Sequence, residues 1–272
     1  MIIEGRKIAT EIIEKLKKYE KVSTFLAVFV VGKNNVSEKF IEQKKKIAGE
    51  LGIDFRVYNF SEDVTQDELR KQVVKTGKHK TCGGIIIQLP LPDHINKHYV
   101  LNAIPKDKDV DVLGERALGA FYTSRNRVLP PAVEVFQEIL KIQKLEIKNC
   151  SIAIVGVGFL IGKPIAVWLS GKCQNLILLD KGGDMSLLKN VDIIVCGTGS
   201  AGIIRPEMIR DNTLVIDFGY SIKDGKILGD FSQEEFKNQN SKTKINFTPT
   251  PGGTGPILVV KLFENFLILN EE

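Results

Sequence analysis

The feature that most constrains this chain is a regular alternation of short apolar runs with longer stretches of helical periodicity. "TFLAVFVVG" (24–32) reads as a buried strand, "SEKFIEQKKKIAGELGI" as a helix ending at Gly52, and "DFRVYNF" as a strand. "TQDELRKQVVKTGK" follows as a helix and "GGIIIQLPLP" as a strand stopped by prolines. The second half repeats the theme: helix "AVEVFQEILKIQ", strand "SIAIVG", helix "LIGKPIAVWLSGK", then strands "NLILLD", "VDIIVCGTG" and "TLVIDFG". After "INFTPTPGGTGP" comes a last amphipathic helix, "ILVVKLFENFLIL". Strands and helices taking turns in this way imply an α/β fold, with parallel sheet covered on both faces. The segment 105–131 lacks clear periodicity and reads as the connection between two domains.

A length of 272 residues fits that division, since a single domain usually holds about 100 to 200. Composition excludes several classes of function. With 43% hydrophobic and 26% charged residues the chain has the make-up of a globular protein, and no apolar run approaches the ~18 residues of a membrane span. Its opening stretch mixes charge with helical apolar spacing, so a cytoplasmic protein is expected. The net charge of +5 is spread among lysines, with Lys44, Lys45 and Lys46 the only tight cluster, and no basic stripe interleaved with aromatics marks a nucleic-acid binder. Cys82, Cys150, Cys173 and Cys196 form no CxxC pair and read as free buried thiols. His94 and His98 are spaced to share a helix face, but with no third ligand they and His79 read as surface residues, and no metal is expected.

In "SIAIVGVGFLIGKP" (151–164), Gly156, Gly158 and Gly162 follow a strand and open a helix. Glycine permits a tight turn and lets backbone N–H groups approach a pyrophosphate, while the helix N-terminus turns its positive end to that charge. The next strand ends in Asp180, near the separation at which a dinucleotide-binding fold places an acid for the ribose hydroxyls. "CGTG" (196–199) and "DFGY" (217–220) also end strands in glycine, so Val157, Gly197, Thr198 and Tyr220 join the candidate cofactor contacts. A tight turn without a ligand is the alternative. A bound dinucleotide makes hydride transfer the natural chemistry.

Lys44 is the most informative lysine. On a helix over 37–51, Phe40, Ile41, Ile47, Ala48 and Leu51 form an apolar stripe, and Lys44 lies in its middle while Lys46 points away. Burial of this kind depresses an amine's pKa and suits it to accept and return a proton; a snorkelling or carboxylate-paired lysine is the alternative. Gln88 closes a strand at the ligand-facing end, where its amide orients but donates no acidic proton. Asp111 is placed either to bind amino groups of a heterocycle or to cap a turn. "TPTPGGTGP" (248–256) sets Gly252 and Gly253 between stiff Thr-Pro pairs and the last helix, bringing bare backbone close to a ligand or simply crossing between domains.

Together "VSEKFIEQKKKIAGELGI", "GIIIQLPLP", "KDVD", "VGVGFLIGKP" and "PTPGGTGP" resemble, from end to end, the bifunctional methylenetetrahydrofolate dehydrogenase/methenyltetrahydrofolate cyclohydrolase family. The resemblance implies an N-terminal folate domain over 1–122, joined by the final helix 255–272, and a Rossmann-like dinucleotide-binding domain over 123–254. It also implies a folate site in the cleft between the domains and a homodimer. Hydride would leave 5,10-methylenetetrahydrofolate for a nicotinamide, and water would then open the methenyl product to 10-formyltetrahydrofolate. By resemblance Lys44 is the proton-transferring lysine, Gln88 its partner and Asp111 the pterin anchor, with Phe40, Pro251, Gly252 and Gly253 lining the folate pocket. The chain departs from the family pattern at several points. Phe40 replaces a usual tyrosine, "PPAV" (130–133) replaces PCTP, and "VDV" (110–112) replaces VDG. Gly156-Val157-Gly158 stands where NADP users show Gly-Arg-Ser, and Lys181-Gly182-Gly183 where they show His-Ser-Arg. Asp180 repels a 2′-phosphate and favours NAD over the family's NADP, with Lys181 the one residue able to offset it. A monofunctional enzyme of the same fold, or a non-catalytic dinucleotide- or folate-binding protein, are the competing readings.

Overall fold

The computed structural model describes all residues except 33–34, 239–243 and 272. By packing the chain divides into two units, one of Met1–Thr10 with Ala132–Leu258, the other of Glu11–Pro131 with Val259–Glu272. After α1 (Gly5–Leu16), the second unit alternates β1 (Phe25–Val31), α2 (Asn35–Leu51), β2 (Asp54–Phe60), α3 (Gln66–Gly77) and β3 (Cys82–Ile87). Its strands form a parallel sheet in the order β2-β1-β3. β1 is central and covered on both faces, so nearly every residue of "FLAVFVV" is buried. Each large side chain so removed from water contributes about 1.5–3 kcal/mol. β2 lies at the edge and its exposure varies residue by residue, the usual state of a strand with one open side. Thr65 caps α3 in a reciprocal box with Glu68, so that two otherwise orphaned N–H groups are satisfied.

Beyond β3 come α4 (Lys97–Leu101) and α5 (Glu115–Tyr122), and then α6 (Pro131–Gln143) in the first unit. Here the structure corrects the reading of 105–131 as a bare connection. The segment carries a 3-10 turn, Lys106–Lys108, and the helix α5, too short to register a period in a sequence window. The histidine spacing fails as a shared face because α4 begins after His94; all three histidines are exposed.

The first unit builds a five-stranded parallel sheet in the order β10-β7-β6-β4-β5. Its strands are β4 (Ser151–Val155), β5 (Asn175–Leu179), β6 (Ile193–Cys196), β7 (Leu214–Asp217) and β10 (Asn246–Phe247), and α7 (Gly162–Leu169) follows β4. α7 is shorter at both ends than the 160–172 that the apolar pattern predicts. Between β7 and β10 lie the hairpin strands β8 (Ser221–Lys223) and β9 (Lys226–Leu228) and the helix α8 (Gln233–Asn238), none of them evident from the pattern. The hairpin turns on Asp224-Gly225, both at positive φ, a two-residue signal that is legible in "KDGK".

α9 (Thr254–Asn270) closes the chain, starting before Pro256. The sequence predicts an amphipathic helix, but α9 is buried nearly all round: Val260, Lys261, Leu262, Phe263, Asn265, Phe266 and Leu267 are all covered. Glycine makes the approach to β3 possible, since a Cβ on Gly84 would stand 2.7 Å from the Phe266 ring. Of the four thiols only Cys82 and Cys196 are buried; Cys150 and Cys173 are half-buried, and all four are free. No helix among the described residues is long and apolar enough to cross a membrane.

Candidate functional site

In the second unit α2, β3 and the loop before α5 converge on one amine. Lys44 is buried, and its Nζ donates to Gln88 Oε1 at 2.8 Å. The Gln88 Nε2 in turn donates to the Leu89 carbonyl at 2.9 Å, which fixes the amide so that its oxygen faces the lysine. Burial pushes the Lys44 pKa below the ordinary lysine value, while the charge of Asp111 opposes that shift. Asp111 is displaced the other way, upward by burial, with Lys44 opposing. Phe40 is one turn before Lys44 on α2 and half-buried.

Asp111 is delivered by a tight loop. Asp109, just before it, accepts N–H bonds from Leu113 at 3.0 Å and Gly114 at 2.7 Å through one oxygen, while its other oxygen has no hydrogen-bond partner among the described residues. Burial raises the Asp109 pKa to about 6. Val112 sits at φ 56 with its side chain fully buried. The departure from the family's VDG thus acquires a structural meaning, because a glycine adopts this left-handed conformation freely and a β-branched residue does so under strain.

In the first unit the carboxyl ends of β4, β6 and β7 are adjacent in the sheet. Strand order reverses between β4 and β6, the place where open parallel sheets take their ligands. Gly156 has φ +89, and its N–H donates to the Leu179 carbonyl at 2.8 Å, so the glycine turn adjoins Asp180. A Cβ on Gly156 would stand 2.9 Å from Thr198 Cγ2 and 3.0 Å from Gly197, so the two turns touch. A Cβ on Gly162 would meet the Gly156 carbonyl oxygen at 2.1 Å, which leaves no room for any other residue where α7 packs on the turn. Gly158 is different: a Cβ there would meet nothing within 4 Å, and its φ is unremarkable. Glycine at Gly156 and Gly162 is demanded by the chain itself, whereas at Gly158 no neighbouring atom of the chain requires it. That pattern fits a dinucleotide's pyrophosphate.

Asp180 is exposed at the end of β5 and accepts the Lys181 N–H at 2.9 Å. Tyr220 is half-buried, with its carbonyl oxygen 3.6 Å from a Cβ on Gly199. Val157 is half-buried in the turn. Gly252 takes φ +100, its carbonyl accepts the Arg6 N–H at 3.2 Å, and a Cβ on Gly253 would strike the Pro249 carbonyl oxygen at 2.4 Å. The candidates therefore fall into two groups. Lys44, Gln88, Asp111 and Phe40 share the second unit; Gly156, Val157, Gly158, Asp180, Gly197, Thr198 and Tyr220 share the first with Pro251, Gly252 and Gly253. Sequence reasoning passes over Asp109, Asp217 and Asp230, which stand in the ordinary contexts Lys-Asp-Val, Ile-Asp-Phe and Gly-Asp-Phe.

A parallel sheet with a glycine turn at its switch point, joined in one chain to a second α/β unit holding a buried lysine, defines a dinucleotide-dependent enzyme of two α/β domains. Residues 3–111 match the family model for the tetrahydrofolate dehydrogenase/cyclohydrolase catalytic domain, and residues 130–272 match the model for its NAD(P)-binding domain. The chain belongs to the tetrahydrofolate dehydrogenase/cyclohydrolase family. It is 31% identical to the bifunctional protein FolD of Mycoplasmopsis synoviae, over 98% of each chain. The crystal structure of the bifunctional FolD dehydrogenase/cyclohydrolase from Campylobacter jejuni superposes with a TM-score of 0.92 at 29% identity, covering 99% of this chain and 98% of that one. The Trypanosoma brucei FolD, solved with NADP and an inhibitor, gives 0.91 at 25% identity, covering 99% and 96%.

Proposed function

We propose that this chain oxidises 5,10-methylenetetrahydrofolate to the 5,10-methenyl cation and hydrolyses that product to 10-formyltetrahydrofolate, both steps belonging to one-carbon metabolism. The observation that carries the reading is the buried Lys44 amine, hydrogen-bonded to Gln88 and electrostatically coupled to Asp111, in a chain whose two halves match the family's two domains. A bound nicotinamide dinucleotide supplies the hydride acceptor. Lys44, its pKa lowered by burial, accepts a proton from the water that adds to the methenyl carbon and returns it to the ring nitrogen as the bond from that nitrogen to the carbon breaks, while the adduct's hydroxyl proton leaves to solvent as the formyl C=O forms. Gln88 keeps the amine aimed, Asp111 accepts hydrogen bonds from the amino-pyrimidine edge of the pterin, and Phe40 stacks on the ring without offering a hydroxyl.

Of the two dinucleotides we favour NAD. Asp180 directly follows β5 beside the glycine turn, where a carboxylate accepts hydrogen bonds from free ribose hydroxyls and repels a 2′-phosphate, and Lys181 is the one neighbouring cation in sequence. The chain is taken as a homodimer, which sedimentation at several concentrations tests. The functional test follows methenyl absorbance with NAD and with NADP separately, then the decay of supplied methenyltetrahydrofolate. Both activities are expected, with the higher kcat/KM for NAD. Absence of both would overturn the reading, and hydrolysis alone would leave a monofunctional cyclohydrolase.

A further inference from the structure

Behind the turn that follows β6 lie two acids that the reaction does not use. Asp217 ends β7 and Asp230 follows β9, and they are 0% and 1% exposed. Backbone N–H groups surround both carboxylates. Asp217 Oδ1 accepts from Gly219 at 2.7 Å and from Asp230 at 3.2 Å, and its Oδ2 accepts from Phe231 at 3.0 Å. Asp230 in turn reaches the β6 turn, with Oδ2 accepting from Thr198 N at 2.5 Å and Oδ1 from Ser200 N at 2.9 Å. The bonds form a relay in which the end of β7 fixes the backbone at 230–231, and the side chain there fixes the backbone at 198–200. Main-chain bonds brace the same two segments, from Gly202 to Gly229 at 3.0 Å and from Ile204 to Asp230 at 2.9 Å.

The chain has cleared space for these acids. A Cβ on Gly219 would stand 2.2 Å from Asp230 Oδ1, and one on Gly229 would stand 2.1 Å from Asp217 Oδ2. Cys196, Asp217 and Asp230 also lie close enough together to offer three ligand atoms to a metal. The donor set argues against that use, because all four carboxylate oxygens already face the positive ends of N–H dipoles, which a cation would have to displace. What the arrangement does is hold two N–H groups of a glycine-containing turn, Gly199 being at φ +70, with a single carboxyl group. Charge-assisted bonds of this kind are roughly twice as strong as neutral ones.

We propose that Asp230, itself held by Asp217, is a positioning residue that presets the turn over residues 197–200 for the dinucleotide. The inference rests on the reading of Gly197 and Thr198 as cofactor contacts. A turn fixed in advance spares the ordering cost of binding, so the effect belongs in dinucleotide affinity and not in the chemical step.

The test is Asp230→Asn in the full chain, where the amide keeps the shape but loses the charge and turns an NH2 toward one of the two N–H groups. The dinucleotide KM should rise about tenfold, the effect of losing roughly 1.4 kcal/mol of hydrogen bonding. The saturated dehydrogenase kcat, the folate KM and the hydrolysis of supplied methenyltetrahydrofolate should stay within about twofold, since an effect confined to dinucleotide affinity leaves them alone. Asp230→Ala removes both acceptor oxygens without crowding the backbone and should show the same split. An unchanged dinucleotide KM in both variants overturns the proposal while leaving the reading of the function intact. Hydrolysis lost together with dehydrogenation in both would assign the acids to folding alone and overturn it too. If wild-type protein binds neither dinucleotide in a direct titration, it is the functional reading that falls.

Discussion

At Lys44 a helical position and a tertiary enclosure act on the same amine. The 3.6-residue period places the lysine in the apolar stripe of α2, and the packed unit buries it and supplies Gln88 and Asp111 as neighbours. Lys44→Met should abolish methenyl hydrolysis while sparing dinucleotide binding, checked by absorbance decay and by titration; undiminished hydrolysis would remove Lys44 from the mechanism. Because the amine works in its neutral form and its pKa is lowered, the wild-type hydrolysis rate should rise with pH, with a midpoint below that of an ordinary lysine. Val112 offers a separate test of backbone strain. At φ 56 an alanine keeps the left-handed penalty and a glycine does not, so Val112→Gly should melt above Val112→Ala by the equivalent of about 1 kcal/mol, against the usual order of the two residues. Lys44 is legible in the sequence because one element suffices to place it. Asp109, Asp217 and Asp230 are not, because their meaning lies in N–H groups brought from other loops.

At the scale of elements, the glycines after β4 divide by what each one faces. Gly162→Ala drives a methyl group into the Gly156 carbonyl and should cost about 1–3 kcal/mol of stability, read by thermal melting. Gly158→Ala meets only open space, so the melt should be nearly unchanged while dinucleotide affinity falls several-fold in a fluorescence titration. Unaltered affinity in the Gly158→Ala variant would count against the pyrophosphate assignment. The strands β1 to β7 and the longer helices α2, α3 and α6 are legible because their apolar periods run over enough residues to be distinctive. α5 and α8 escape a sequence reading because eight or fewer residues give barely two turns, and β10 because a two-residue strand has no period at all. α9 is legible as a helix but not as a buried one, since its contacts come from strands and loops distant in the chain.

For the whole molecule, each packed unit contains one buried aspartate displaced upward to about 6, Asp109 in one and Asp217 in the other, in both cases chiefly by burial. A raised carboxyl favours the folded state while protonated. Its contribution is fully present below the unfolded value of 3.8 and is lost as pH rises through about 6. Each shift corresponds to on the order of 3 kcal/mol. Asp109→Asn and Asp217→Asn should therefore each flatten the dependence of Tm on pH between about 4 and 6, and the double variant should flatten it further, the two sites being independent. Slopes identical to wild type would show that neither group titrates in that window. By itself the sequence determined the α/β class, the family, the glycine turn and the place of Lys44 in an apolar stripe, because each is written in a local period or a contiguous motif. Only the tertiary structure decided that Met1–Thr10 packs with Ala132–Leu258, that Val112 is strained beside Asp111, and that Asp217 and Asp230 brace the β6 turn. These depend on which backbone N–H groups and atoms meet across long stretches of chain, and no local pattern encodes such meetings.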